Sequence, residues 1–199
     1  MRRCATEPQP SAIDALRAAT NCIHARLHAH PVFAPLQAGT IDRAGYVDLL
    51  MALHGFHSAF IHVSTEGPAR CRRLAEDISF LGVSAGQIDC APSAASPGLP
   101  GTAARWGTEY VLRGASLGGR ILSRHLDGLL GVGSFEGRQF FIGKDEAAGT
   151  SWRCFITQLE LALPAQIDRQ RASDAAIATF VQFENWMSGH VAARATNEG

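Results

Sequence analysis

From Thr102 to about Leu130 the chain reads as one long helix, and in its middle lies the stretch "YVLRGASLGGR", Tyr110 to Arg120. Gly114, Ala115, Gly118 and Gly119 fall within eleven residues there, and two of the glycines are adjacent. Each Gly inside a helix costs about 1 kcal/mol relative to Ala. A helix that carries this many presents a face almost without side chains. Removing Cβ atoms lets another backbone or a ligand come close. Small residues at i, i+4 serve equally well at a helix–helix crossing, so the pattern leaves both uses open.

The rest of the chain follows the same helical period. Ser11 offers an N-cap with Asp14 three residues on, and Leu16, Ile23 and Leu27 follow helical spacing until Pro31 stops the run. A short turn over 32–36 ends at Gly39. Thr40 or Asp42 caps a second helix through Tyr46, Leu50, Leu53 and Phe60, which fades near Gly67 and Pro68. A third spans 69–81, the glycine-bearing helix comes next, "TSWRCFITQLELAL" forms another up to Pro164, and Ser173 or Asp174 caps the last. The segments 82–101 and 131–149, rich in Gly, Ser and Ala, read as loops. Alternating strand patterns are absent, so the expected fold is all-α, a single domain of six to eight helices over 11–195 behind a disordered leader at 1–10.

Composition removes several classes of function. The 199 residues carry 18 basic and 18 acidic side chains, so no electrostatic footprint for nucleic acid or an anionic membrane is present. The five cysteines are odd in number and form no C-x-x-C, which argues against zinc ribbons and for free thiols in a reducing cytoplasm. No apolar run approaches the roughly 18 residues of a membrane span.

Eight histidines are the candidates for chemistry. His24 and His28 stand at i, i+4 on the first helix, and His54 and His57 at i, i+3 on the second; such pairs can hold a metal. No E-x-x-H occurs, so a carboxylate-bridged di-iron site is not expected. A His on the inner face of an amphipathic helix can give a single axial bond to iron, and Arg17, two turns earlier on nearly the same face, could pair with a carboxylate.

"LRAATNCIHARLH" and "YVLRGASLGG", in that order and separation, resemble the haem oxygenases, and more closely the bacterial biliverdin-producing branch associated with bacteriophytochromes. "GRQFFIGKDEAAGTSWRCFITQL" resembles that branch as well, and the likeness runs from about residue 12 to 190. It implies a haem sandwiched between a proximal and a Gly-rich distal helix, as substrate and cofactor at once. It implies His24 as iron ligand, Arg17 and Tyr110 at the propionates, and Gly114, Gly118 and Gly119 over the distal face. An outside reductase or ferredoxin would supply electrons, and a bacteriophytochrome could accept the biliverdin. Two positions depart from the pattern. Ala115 stands where relatives have Asp or Ser able to hold water, with Ser116, about 100° further round, as substitute. Arg113 stands where the bacterial pattern has Glu. A haem-binding carrier or sensor with little turnover is therefore the alternative to an enzyme, and a helical interaction module the second.

Overall fold

The computed structural model describes residues 10–95, 98, 100–143 and 148–197, without the side chains of 116, 117, 148–150 and 193–197. All regular structure in them is helical: α1 (Ala12–His28), a 3₁₀ turn (Pro31–Phe33), α2 (Ala34–Gln37), α3 (Arg43–Ala59), α4 (Gly67–Phe80), α5 (Ala85–Asp89), α6 (Gly101–Arg124), α7 (Asp127–Leu130), α8 (Gln139–Ile142), α9 (Ala148–Ala162) and α10 (Gln166–Asn197). The all-α expectation holds. The expected leader lies, apart from Pro10, outside the described residues.

The starts of α1 and α3 follow their local signals. The Ser11 hydroxyl accepts from the Asp14 N–H, and the Asp42 carboxylate from the Gly45 N–H. Several boundaries differ from the sequence reading, beginning with α3, which ends at Ala59 and not near Gly67. The last helix starts at Gln166, seven residues before Ser173, because Ser173 is buried inside it rather than placed at its end. The segment 82–101 contains α5, which Ser84 and Gln87 close with a reciprocal capping box. The segment 131–149 contains α8, whose Gln139 and Phe140 N–H groups both donate to Asp77 of α4, at 2.9 and 2.8 Å. The glycine-bearing helix breaks at His125 and Leu126, and α7 follows as a separate turn.

The long α10 packs against α1, α3, α6 and the 3₁₀ turn. It packs most extensively on α6 and then on α1. Arg169 donates to the Pro10 carbonyl, Arg26 pairs with Glu184, and the His30 ring meets the Ser188 hydroxyl. The partners advance together along both segments, so α1 and α10 run parallel. Glu160 of α9 accepts from the Ala12 and Ile13 N–H groups at 2.8 and 2.9 Å, capping α1 from another helix. One apolar cluster joins Leu16 of α1, Val111 of α6, Phe155 and Leu159 of α9, and Ala172 and Ala176 of α10. Another joins Tyr46, Leu50 and Leu53 of α3 to Leu74 and Ile78 of α4 and Phe141 of α8. Truncating a fully buried leucine such as Leu16 or Leu50 to Ala would cost about 2–5 kcal/mol. Among the described residues no helix is long and apolar enough to cross a membrane.

Candidate functional site

Helices α1 and α6 approach each other where the hydroxyls of Thr20 and Tyr110 lie 3.5 Å apart. Thr20 is buried and donates back to the Leu16 carbonyl at 2.8 Å, which fixes its rotamer. His24 lies one turn beyond Thr20 on the same stripe of α1, and His28 one turn further. Gly114 and Gly118 stand in the same relation to Tyr110 on α6. The two stripes singled out in the sequence thus start from a single contact.

The His24 imidazole is exposed. Its ring centre is 4.6 Å from that of His28 and 6.0 Å from that of Phe180 on α10. Partial burial, and secondarily the His28 ring, lower its pKa below the usual histidine value. At neutral pH the ring is therefore mostly uncharged, the form that binds a metal ion. Arg17 is exposed and reaches Asp14, 3.8 Å away on its own helix. Both partners are exposed, so this long surface ion pair leaves Arg17 within reach of solvent at the edge of the α1 face.

The glycines of α6 divide into two kinds. Among the described residues, a Cβ on Gly114 or Gly118 would meet no atom within 4 Å. A Cβ on Gly107 would overlap the Ala172 carbonyl of α10, and one on Gly119 would come within 2.8 Å of the Phe141 carbonyl. Gly119, expected beside the other two over the distal face, is buried against α8 instead. The helix-crossing reading of small residues therefore applies to Gly119, and the open-face reading fits Gly114 and Gly118. Ala115 is exposed; the Ser116 side chain lies outside the described residues.

Aromatic rings of α9 flank this segment. Trp152 lies 6.0 Å from Tyr110, and Phe155 lies 5.6 Å from Trp106 and under the Arg113 guanidinium at 5.2 Å. Arg113, the departure immediately before Gly114, is held by Glu109 at 2.6 Å, by Glu66 at 3.2 Å and by the Thr65 hydroxyl at 2.9 Å. A cation in place of the usual Glu is thus balanced by two carboxylates. The second Glu109 oxygen is buried without a hydrogen-bond partner. Arg113 was legible only as a departure; its partner Glu66 comes from the start of α4, and no local signal ties the two together.

Among the described residues no group of three or more His, Cys, Asp or Glu side chains is placed to hold a metal ion. A cavity of about 500 Å³ between the start of α6 and α10, lined by Pro100, Ala104, Arg171, Asp174 and Thr179, contains none of the residues above. The residues that are present fit a flat, anionic macrocycle. One exposed and mostly neutral imidazole is available for an axial bond. Two glycines face space that no described residue fills, and the exposed Arg17 guanidinium, paired only loosely with Asp14, and the Tyr110 phenol lie on the same two helices.

The fold has a solved counterpart in the structure of haem oxygenase from Leptospira interrogans, with a TM-score of 0.73 at 15% identity, covering 90% of this chain and 100% of that one. No protein-family model matches the sequence. A curated haem oxygenase of Xanthomonas campestris pv. campestris (strain 8004) is 32% identical over 119 residues, which span 60% of this chain and 67% of the relative. The chain belongs to the haem oxygenase family.

Proposed function

We propose that this chain opens haem oxidatively, with dioxygen and electrons from an outside reductase or ferredoxin, to biliverdin, carbon monoxide and ferrous iron. The observation that carries the reading is the pairing of an exposed imidazole on α1 with space over Gly114 and Gly118 that no described residue fills, on two helices that touch at Thr20 and Tyr110. Haem, when bound, supplies both the redox-active iron and the ring carbon that is oxidised.

In this reading His24 of α1 would hold the haem iron, and its lowered pKa favours the uncharged ring that such a bond needs. Arg17 and the Tyr110 hydroxyl hold the carboxylates, the first by charge and the second by donating its proton. Gly114 and Gly118, lacking a Cβ, would let a flat ring come close to the α6 backbone. Trp152 and Phe155 exclude water from the flank of α6. Ala115 offers no side-chain proton donor, so proton delivery would fall to water held by the backbone around Gly114. The free thiols of Cys22, Cys71, Cys90 and Cys154 fit a reducing cytoplasm, and a bacteriophytochrome would be an acceptor for the product.

Haem titration of wild type and His24→Ala tests the reading. The wild type should give a sharp Soret band that His24→Ala loses while its helicity stays unchanged. Reduction in air should then release extractable biliverdin from the wild type. The second reading, a haem carrier with little turnover, is favoured by Ala115. Ala115→Ser separates the two, because a well-placed proton donor is worth about 10²–10⁴-fold in rate. A working but proton-limited enzyme speeds up in that variant, whereas a carrier yields no biliverdin in either form.

A further inference from the structure

His28 has no part in the haem reading, yet it stands one turn from the proposed iron ligand with its ring centre only 4.6 Å from that of His24. A first-row metal sits about 2.0–2.1 Å from an imidazole nitrogen, and so about 3.2 Å from the ring centre. Two imidazoles on one ion, separated by roughly 90–110° of tetragonal or tetrahedral coordination, then have centres about 4.5–5.2 Å apart. The observed separation falls in that interval, and the rings are inclined at 78°, so they do not stack against each other. We propose that His24 and His28 form a two-imidazole chelate for a divalent transition metal of the zinc or copper kind.

The surroundings suit a cation with two protein donors and water in its remaining positions. Both rings are exposed, so solvent can complete the coordination. Arg26, the nearest cation in sequence, is neutralised by Glu184 through two hydrogen bonds of 3.0 and 2.9 Å. Phe180 lies on one side of His24 and gives the site an apolar wall. His30, the next histidine along, is turned away into its contact with Ser188. Where the haem reading holds, the chelate has a consequence: it draws on the same His24 imidazole, so metal and haem compete for it. The ferrous ion released by ring opening also emerges beside a second imidazole.

The test is a titration of the haem-free chain with Cu²⁺ near neutral pH, followed by electron paramagnetic resonance, in wild type, His24→Gln and His28→Gln. The expected result is one equivalent bound through two nitrogens in the wild type, with affinity at least tenfold weaker in each variant. The variants' circular dichroism should match the wild type, since both positions are exposed. Copper binding that survives unchanged in either variant overturns the chelate. Haem titration with Zn²⁺ present then reads the competition: apparent haem affinity falls at least tenfold in wild type and is unaffected in His28→Gln. Haem affinity indifferent to Zn²⁺ in the wild type overturns the competition. Failure of haem to bind the metal-free chain would sink the haem reading instead, and the copper titration would still decide the chelate.

Discussion

Gly107 and Gly119 lie in the same helix as Gly114 and Gly118, and the chain uses the two pairs in opposite ways. At Gly107 the carbonyl of Ala172 occupies the space a Cβ would need, and at Gly119 the backbone of Phe141 does. At Gly114 and Gly118 no described residue lies within 4 Å of that position. The first pair stabilises the fold by letting α10 and α8 approach, so the intrinsic cost of about 1 kcal/mol per helical glycine is offset by packing. The second pair carries the same cost with no packing return inside the chain. Glycine in a helix without a packing reason marks a surface shaped for something other than the protein itself.

The largest effect is expected from Gly107→Ala. Its Cβ would overlap backbone, which cannot swing aside as a side chain can, so α6 and α10 would have to separate along their most extensive contact. A loss of about 3–5 kcal/mol in denaturant unfolding follows, the upper end for a single substitution. A change below about 0.5 kcal/mol would erase the distinction between the two pairs.

Next comes the carboxylate that holds α8 under Gly119. Burial pushes the Asp77 carboxyl from 3.8 up to about 6, against the two N–H bonds from Phe140 and Gln139, which pull it down; Glu76 adds to the rise and Arg73 opposes it. The folded-state pKa is raised, so the native state holds the proton more tightly than the unfolded chain. The associated stability is full below about pH 3.8 and is lost as pH rises to about 6. Asp77→Asn removes this titration. Its stability relative to wild type should therefore rise by roughly 3 kcal/mol between pH 3.5 and 7, the equivalent of the shift. A parallel pair of stability–pH curves would show that Asp77 does not titrate in this window. Gly119→Ala, where the Cβ would lie 2.8 Å from one oxygen of a short helix, should cost about 1–3 kcal/mol. That is less than at Gly107, because α8 is a single turn and can shift.

What the sequence made legible follows from the range of the forces involved. The long helices came from apolar spacing, and the starts of α1 and α3 from cap residues beside them. Helix α8 was hidden because Asp77, 62 residues earlier, supplies its cap. The start of α10 was misplaced because Ser173 looks like a cap yet is buried at 4% exposure, and burial is not written locally. In the site, the His24–His28 spacing, Arg17 two turns earlier and the glycine stripe were readable in the sequence, whereas Tyr110 came only with the resemblance to the haem oxygenases. Gly118 and Gly119 were not separable, since the difference between them is made by Phe141 of another helix. Arg113 looked like a misplaced charge until Glu66, from the start of α4, stood beside it.

The smallest change in fold stability is expected at Gly118→Ala, and it has the opposite sign. The added methyl meets no atom within 4 Å, while Ala removes backbone freedom from the unfolded chain and favours the helix. The haem-free variant should be more stable by about 0.5–1 kcal/mol, or roughly 2–4 °C in Tm per kcal/mol for a chain of this size. If Gly118 faces a macrocycle, the same methyl enters the space that the ring or its oxygen needs, so haem affinity should fall as fold stability rises. Gly118→Leu should extend the trend, with a larger loss of haem binding and little loss of fold, because the side chain points away from the chain's own core. Differential scanning calorimetry of the haem-free forms and Soret titration read the two quantities separately. A variant stabilised in the fold and unchanged in haem binding would mean that the open face of α6 serves a different partner.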